Sequence, residues 1–333
     1  LRLLATLVAI CFAGCAAAEG LTAERLGVLY NLDDADSIAI ANYYAARRFI
    51  PSANVVGLHL GHASVMTPAD FGPVRNHALN ALPSRVQSLA LVWTRPFAVG
   101  CMSVTTAFAA GYRGEFCEPG CNLTTPNPLF DSTGWLPADT VGWWPSMLIP
   151  TEDGALAHAL IDRGIAADGS HPQDAIAYLV RTDDQARNVR SSTYREVAQA
   201  IGRRVHVVDM TASQDREAPT AIAYFTGTAH VNELGKIHFV PGAVADHLTS
   251  TGGVLVHGNQ MPVLAWLVQG ATASYGSVTE PCNHLEKFPN IQVLLAHYLQ
   301  GETVLESYWK SVAMPGQGLF VGDPLSRPYA GHR

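Results

Sequence analysis

LGVLYNL (26–32), NVVGLHL (54–60) and LALVWT (89–94) are three apolar runs of strand length, separated from one another by helical patterns. After the first run, Asp36-Ser37 can cap a helix over 37–49 that places Ile38, Ala41, Tyr44 and Ala45 on one face, and Pro51 ends it. After the second, Thr67-Pro68 opens a helix that runs to about Leu82. The result is βαβαβ, the signature of a parallel sheet covered by helices. The strands are apolar at successive positions instead of alternating, which suits burial on both faces.

Outward from this block the regularity stops. Residues 95–150 hold many of the Pro, Gly and Trp residues, among them Trp135, Trp143 and Trp144, and three of the cysteines. A long irregular excursion inside a compact protein is usually functional or pinned by disulfides. The α/β pattern then resumes. Helices are expected near 153–166 and from Asp184 to Ile201, with strands at 175–182, 204–210 and 221–227. The segment 242–249 reads as a helix, 253–258 as a strand, 260–270 as a helix and 272–278 as a strand. Helices near 290–300 and 302–312 precede a last strand at 318–322. The fold class is α/β, doubly wound and mostly parallel, in one sheet or in two joined across the insert.

The first residues, LRLLATLVAICFAGCAAAEG, read as an export signal over 1–18: Arg2, a short apolar stretch, then Ala16-Ala17-Ala18 before Glu19. A lipid anchor at Cys15 is the alternative, since FAGC is a loose lipoprotein signal. No later apolar run approaches the ~20 residues of a membrane span. The chain is therefore expected to be periplasmic or secreted, or else lipid-anchored. Roughly 310 residues then remain, enough for one large domain or two: 19–150, carrying the insert, and 151–333, carrying the candidate site. The composition is 48% hydrophobic and 15% charged, which suits a well-cored protein, and a net charge of −7 argues against nucleic acid as a partner.

Cys101, Cys117, Cys121 and Cys282 are an even number in an oxidising compartment, which favours disulfides over thiol catalysis. The Pro-Gly turn in CEPGC suggests Cys117 with Cys121, leaving Cys101 for Cys282, one of three possible connectivities.

Three runs in the last third end in polar, reactive residue types: AIAYFTGTAH (221–230), GVLVHGN (253–259) and TASYGSVTEPCNH (272–284). Ligands of open α/β sheets bind outside the carboxyl ends of parallel strands. His257 and His230 are thus candidate general bases, with Glu280 as a base or as the group that orients an imidazole. Thr228, Asn259, Gln260, Ser274 and His284 are candidate ligand-binding residues on the same rim. A metal bound by the two histidines with His284 or Glu280 is a minor branch, without helical ligand spacing to support it. His238 and His247 fall on connecting structure. Ser274 lacks the glycines of a nucleophile elbow. No phosphate loop or dinucleotide fingerprint follows any strand, so no cofactor is expected.

LYNLDDADSIAIANYYAARRFIP, FVPGAVADHLTSTGG, ATASYGSVTEPCNHLEKFP and GETVLESYWKSVAMPGQGLFVGDPLSRPY together resemble a family of exported bacterial proteins of unknown function, over most of the chain. More distantly, the order of elements resembles the gingipain-type cysteine peptidases of caspase-like fold. That resemblance implies a three-layer architecture, a histidine at the end of one strand and a nucleophilic cysteine at the end of the next. Here Thr228 stands in the histidine's place and Val256-His257-Gly258-Asn259 in the cysteine's, so both members of the dyad are missing. The expectation is a peptidase-like scaffold that binds a peptide, glycan or cell-envelope ligand. The alternative is a hydrolase that uses a non-standard His/Glu site.

Overall fold

The computed structural model describes residues 20–117, 121–212 and 217–331; the stretch 1–18 read as an export signal, with Cys15, lies outside them. In chain order the elements are β1 (Leu26–Asn31), α1 (Ala35–Arg47), β2 (Val55–Leu58), β3 (Val65–Met66), α2 (Pro68–Ala81) and β4 (Ser88–Val92). The insert follows, with β5 (Ala98–Val99), β6 (Met102–Ser103), α3 (Val104–Ala110) and α4 (Pro137–Val141), and leads into β7 (Ser146–Ile149) and α5 (Gly154–Ala167). Next come β8 (Ile176–Arg181), α6 (Tyr194–Ile201), β9 (His206–Thr211), β10 (Ala218–Gly227), β11 (Ile237–Leu248), α7 (Leu264–Gln269) and β12 (Ala273–Ser277). The chain closes with α8 (Ile291–Tyr298), α9 (Val304–Ser311) and β13 (Gly318–Gly322).

One ten-stranded sheet carries the fold, in the order β2-β1-β4-β7-β13-β12-β11-β10-β8-β9. Every pairing in it is parallel except β12 with β13. The sheet is therefore two five-stranded parallel halves running in opposite directions and joined at that one antiparallel seam. Renumbered within each half, both have the strand order 2-1-3-4-5, a doubly wound order whose ligands sit where the first and third strands part. The fifth strand of the first half is β13, from the far end of the chain. Helices α1, α5 and α7 pack on one face; α2, α3, α6, α8 and α9 pack on the other. The layers meet in large aromatic contacts, such as Trp309 of α9 stacked on Phe320 of β13 at 4.6 Å.

Two buried ion pairs fasten elements from distant parts of the chain. Asp323, just past β13, accepts from Tyr44 Oη at 3.0 Å and from the Arg48 guanidinium, whose Nη1 also bonds Asp168. In the second half, Asp246 of β11 pairs with Arg190; both are at least 95% buried. The Asp323 of the closing GDPL segment is thus a structural clamp. Among the described residues no helix is long and apolar enough to cross a membrane.

Several expectations are corrected. Of one sheet or two, the main sheet is one, spanning both sides of the insert. The helix expected over 37–49 runs Ala35–Arg47, because Asp34, and not Asp36 or Ser37, caps it by accepting the Asp36 N–H. Of the expected helix 242–249, residues 242–248 form the carboxyl half of strand β11, so His238 and His247 lie on a strand and not on connections. Conversely, 253–258 is a loop. Its apolar residues suit a strand, but β11 and β12 pair directly with each other through Val244 and Ala273, leaving no edge for it to join. The insert conceals a central strand, β7, bounded by Pro145 and Pro150. The disulfides are Cys101–Cys117 and Cys121–Cys282, with Cα–Cα distances of 5.7 and 5.5 Å, within the ordinary range. The turn between β5 and β6 presents Cys101 to Cys117, and the His284 ring bonds the Cys121 carbonyl at 2.7 Å, fixing that segment beside Cys282.

Candidate functional site

In the second half the first and third strands are β8 and β10, and a hollow of about 460 Å³ lies on the sheet face over them, bounded also by Ala218 and Ile237 at the starts of β10 and β11. Its floor comes from alternate residues on one face of three adjacent strands: Val180 of β8, Met210 of β9, and Tyr224 and Thr226 of β10. Parallel strands are usually linked by a crossover of a dozen or more residues, most often with a helix. Here β9 is followed by β10 after six residues and β10 by β11 after nine, with no α-helix in the described part of either connection. On this face Trp266 of α7 packs beside Tyr224, ring centroids 5.5 Å apart, and the short connections wall the hollow, through Ala212 on one side and His230 to Glu233 on the other.

Two floor groups stand out. Tyr224 is 8% exposed and Thr226 is 2% exposed, yet neither hydroxyl has a hydrogen-bond partner among the described residues. Neither oxygen is among the fully buried atoms that lack a partner, so both hydroxyls face the water of the hollow, which a ligand can replace. Burial pushes the Tyr224 phenol up to about 12, so it stays a neutral donor. At the rim, Asp184 is held by Arg187 at 2.9 Å and Glu233 by Lys236 at 2.9 Å. Asp183 is exposed, without an ion-pair partner among the described residues. The Thr182 hydroxyl bonds the Gly227 carbonyl and so ties the ends of β8 and β10 together. Gly227 has no room for a side chain, since a Cβ there would lie 1.9 Å from the Arg187 carbonyl oxygen.

A second hollow, of about 330 Å³, lies at the ends of β11 and β12, between Arg187, Thr249, Ser250, Glu280 and the Cys121–Cys282 bridge. Arg187 separates the two: its Nε donates to Thr249 Oγ1 at 3.1 Å and its Nη1 to Asp184.

The sequence-derived candidates scatter over this edge. His230 lines the first hollow, Glu280 the second, and His257 neither. No hydrogen bond or ion pair joins any two of them among the described residues. His257 is exposed on the 253–258 loop with φ +57°. Glu280 accepts the Cys282 N–H at 2.7 Å, capping a turn. Thr228 lines the first hollow and donates to the His230 carbonyl at 3.0 Å. Gln260 is a staple: its Oε1 accepts from Thr249 Oγ1, Thr251 N and Thr251 Oγ1 at 2.7–3.0 Å. Asn259 is exposed, Ser274 is fully buried in β12, and His284 bonds the Cys121 carbonyl. Cys282, being bridged, is no free thiol. Among the described residues no group of three or more His, Cys, Asp or Glu side chains is placed to hold a metal ion.

Sequence reading missed Asp183, Met210, Tyr224 and Thr226. A signal for the first was present: NLDDADS (31–37) and RTDDQAR (181–187) each place Asp-Asp two residues beyond the end of the first strand of a half.

Comparisons with models of protein families, with curated proteins and with solved structures return no match.

Proposed function

We propose that this is an exported binding protein that holds a peptide or glycan segment in the hollow over β8 and β10. The observation that carries this reading is the pair of hydroxyls, Tyr224 and Thr226, that have no partner among the described residues and face a hollow at the switch point of the second half. Ligand sites of this kind combine an apolar lining with a few convergent polar groups. The scaffold is read as caspase- or gingipain-like with altered chemistry. On the observed strand order the third strand of the second half ends at Gly227-Thr228 and the fourth at Leu248-Thr249. Neither position holds a histidine or cysteine.

Hydrolysis by a His/Glu site is the weaker reading, because a general base needs an orienting partner and neither His230 nor His257 has a side-chain hydrogen bond among the described residues. The test is calorimetry of the purified mature chain with peptide arrays and with soluble cell-wall glycan fragments. Thr228→Trp, which fills the hollow from its rim, is expected to abolish binding, and His257→Ala to leave it unchanged. Turnover of peptide, ester or glycoside substrates by the wild type, lost in His230→Ala, would overturn the binding-only reading.

A further inference from the structure

The sheet has two outer strands, β2 and β9, and they differ in how they are protected. An unpaired strand edge invites another chain, and proteins blunt it with short strands, lysine, proline, bulges or inward charges. β2 is only four residues long. β9 is six residues long, HVVDMT, with neither lysine nor proline. Its register against β8 runs unbroken through six pairs, from Ile176–His206 to Arg181–Thr211. Its one carboxylate, Asp209, is held by Arg181 in two hydrogen bonds of 2.8 and 2.6 Å, on the side of the sheet away from the hollow. The outer edge of β9 has no strand partner among the described residues.

This edge is continuous with the hollow. Met210, on the edge strand β9 itself, lines the hollow, and Tyr224 and Thr226 of β10 lie two strands further in. A chain laid beside β9 would turn every second side chain to that face, because side chains alternate along a strand. One of them would stand next to Met210 with the hollow in front of it. Asp183, the rim carboxylate without an ion-pair partner among the described residues, disfavours an acidic side chain there.

We propose, building on the binding reading above, that the ligand is an extended peptide that adds as an eleventh strand beside β9 and places one non-acidic side chain in the hollow. Main-chain hydrogen bonds to β9 supply affinity in this mode, and the hollow supplies selectivity at alternate positions. A glycan has no amide ladder to match the edge.

The test uses the mature chain and a displayed library of random unconstrained dodecapeptides. The tightest peptide is resynthesised with each backbone nitrogen methylated in turn. Strand addition predicts about tenfold weaker binding, the equivalent of one lost hydrogen bond, at alternate positions only. It also predicts that Val208→Lys weakens binding, and that hydrogen exchange in 206–211 slows on adding peptide. Loss without the two-residue period, or unchanged exchange in β9, overturns the proposal. If Thr228→Trp still abolishes binding in that case, the hollow remains the site and only the strand mode falls. No selectable peptide together with a bound glycan fragment would likewise overturn the peptide mode and keep the hollow. Slow exchange of 206–211 that depends on protein concentration without peptide would show the edge to be occupied by a second copy, and would also overturn it.

Discussion

The two halves of the sheet share one strand order and diverge where their first and third strands part. In the first half that place is tightly filled. Asp33 accepts from Gly61 N at 2.8 Å and from the His59 ring at 2.7 Å, and Asp34 caps α1. Asn31 bonds the Gly61 carbonyl and accepts from Leu60 N and Asp33 N. The Thr94 hydroxyl accepts two backbone N–H groups, from Thr151 and Glu152, at 2.9 Å each. What remains is a polar hollow of about 140 Å³. In the second half the same topological place holds about 460 Å³ and two hydroxyls with no partner among the described residues. The difference lies in the connections: helices α2 and α3 follow β2 and β4, whereas short segments follow β9 and β10. Identical strand order thus gives one closed and one open switch point, and the crossover segments decide which.

The strongest way to break the comparison is to cut the clamp that holds the C-terminal strand on the first half. Asp323→Ala leaves Arg48 buried with only the half-exposed Asp168 beside it, and a broken buried pair typically costs about 3–5 kcal/mol. Urea unfolding measures it, and a loss below about 1 kcal/mol would refute the clamp. Asp246→Ala in the second half should cost a similar amount if Arg190–Asp246 plays the matching role.

Next in size is a pH effect confined to the second half. His247 is buried on β11; it accepts from Trp266 Nε1 at 2.9 Å and donates Nε2–H to the Met261 carbonyl at 3.0 Å, which fixes the neutral ring. Burial lowers its pKa from 6.5 to about 4. Between these values the unfolded chain binds more protons than the native one, so stability rises with pH. The contribution is complete above about 6.5 and lost as pH falls toward 4, on the order of 3 kcal/mol in all. Denaturation midpoints across pH 4 to 7 should show this slope, and His247→Gln should flatten it.

A finer contrast applies one substitution to both switch points. Thr94→Val removes the acceptor of two buried N–H groups and should cost about 1–3 kcal/mol. Thr228→Val, in the open half, removes one bond at a half-exposed loop and should stay within about 0.5 kcal/mol. Equal costs in thermal melts would mean that the two places are equally filled. The smallest expected effect is on stability in Thr228→Trp, where the hollow receives the ring; a destabilisation above about 1 kcal/mol would mean the hollow is narrower than its volume suggests.

Much of the first half could be read directly. Thr67 caps α2 through Asp70 N–H as its position before Pro68 predicts, and β1, β2 and β4 fall on the three apolar runs. The second half misled local reading at one place above all. GAVADHL (242–248) has alanines, an aspartate and a histidine that suit a helix, yet both of its faces are buried in the sheet. Asp246 is tolerated there because Arg190 meets it on one face, and His247 because Trp266 meets it on the other. Those partners are 56 and 19 residues away, outside the reach of any periodicity. GVLVHG shows the converse: strand-forming residues stay a loop when no edge is free to pair them.

The sequence alone determined the α/β class, the parallel pairing implied by continuous apolar strands, and four cysteines in a disulfide setting, because these depend on local pattern and composition. Tertiary structure decided the single sheet, the antiparallel seam at β12 and β13, the disulfide pairing and the place of the hollow. Each of these is a contact between segments far apart in the chain, and a contact of that kind is selected by which edges, charges and volumes remain unmatched once the local elements have formed.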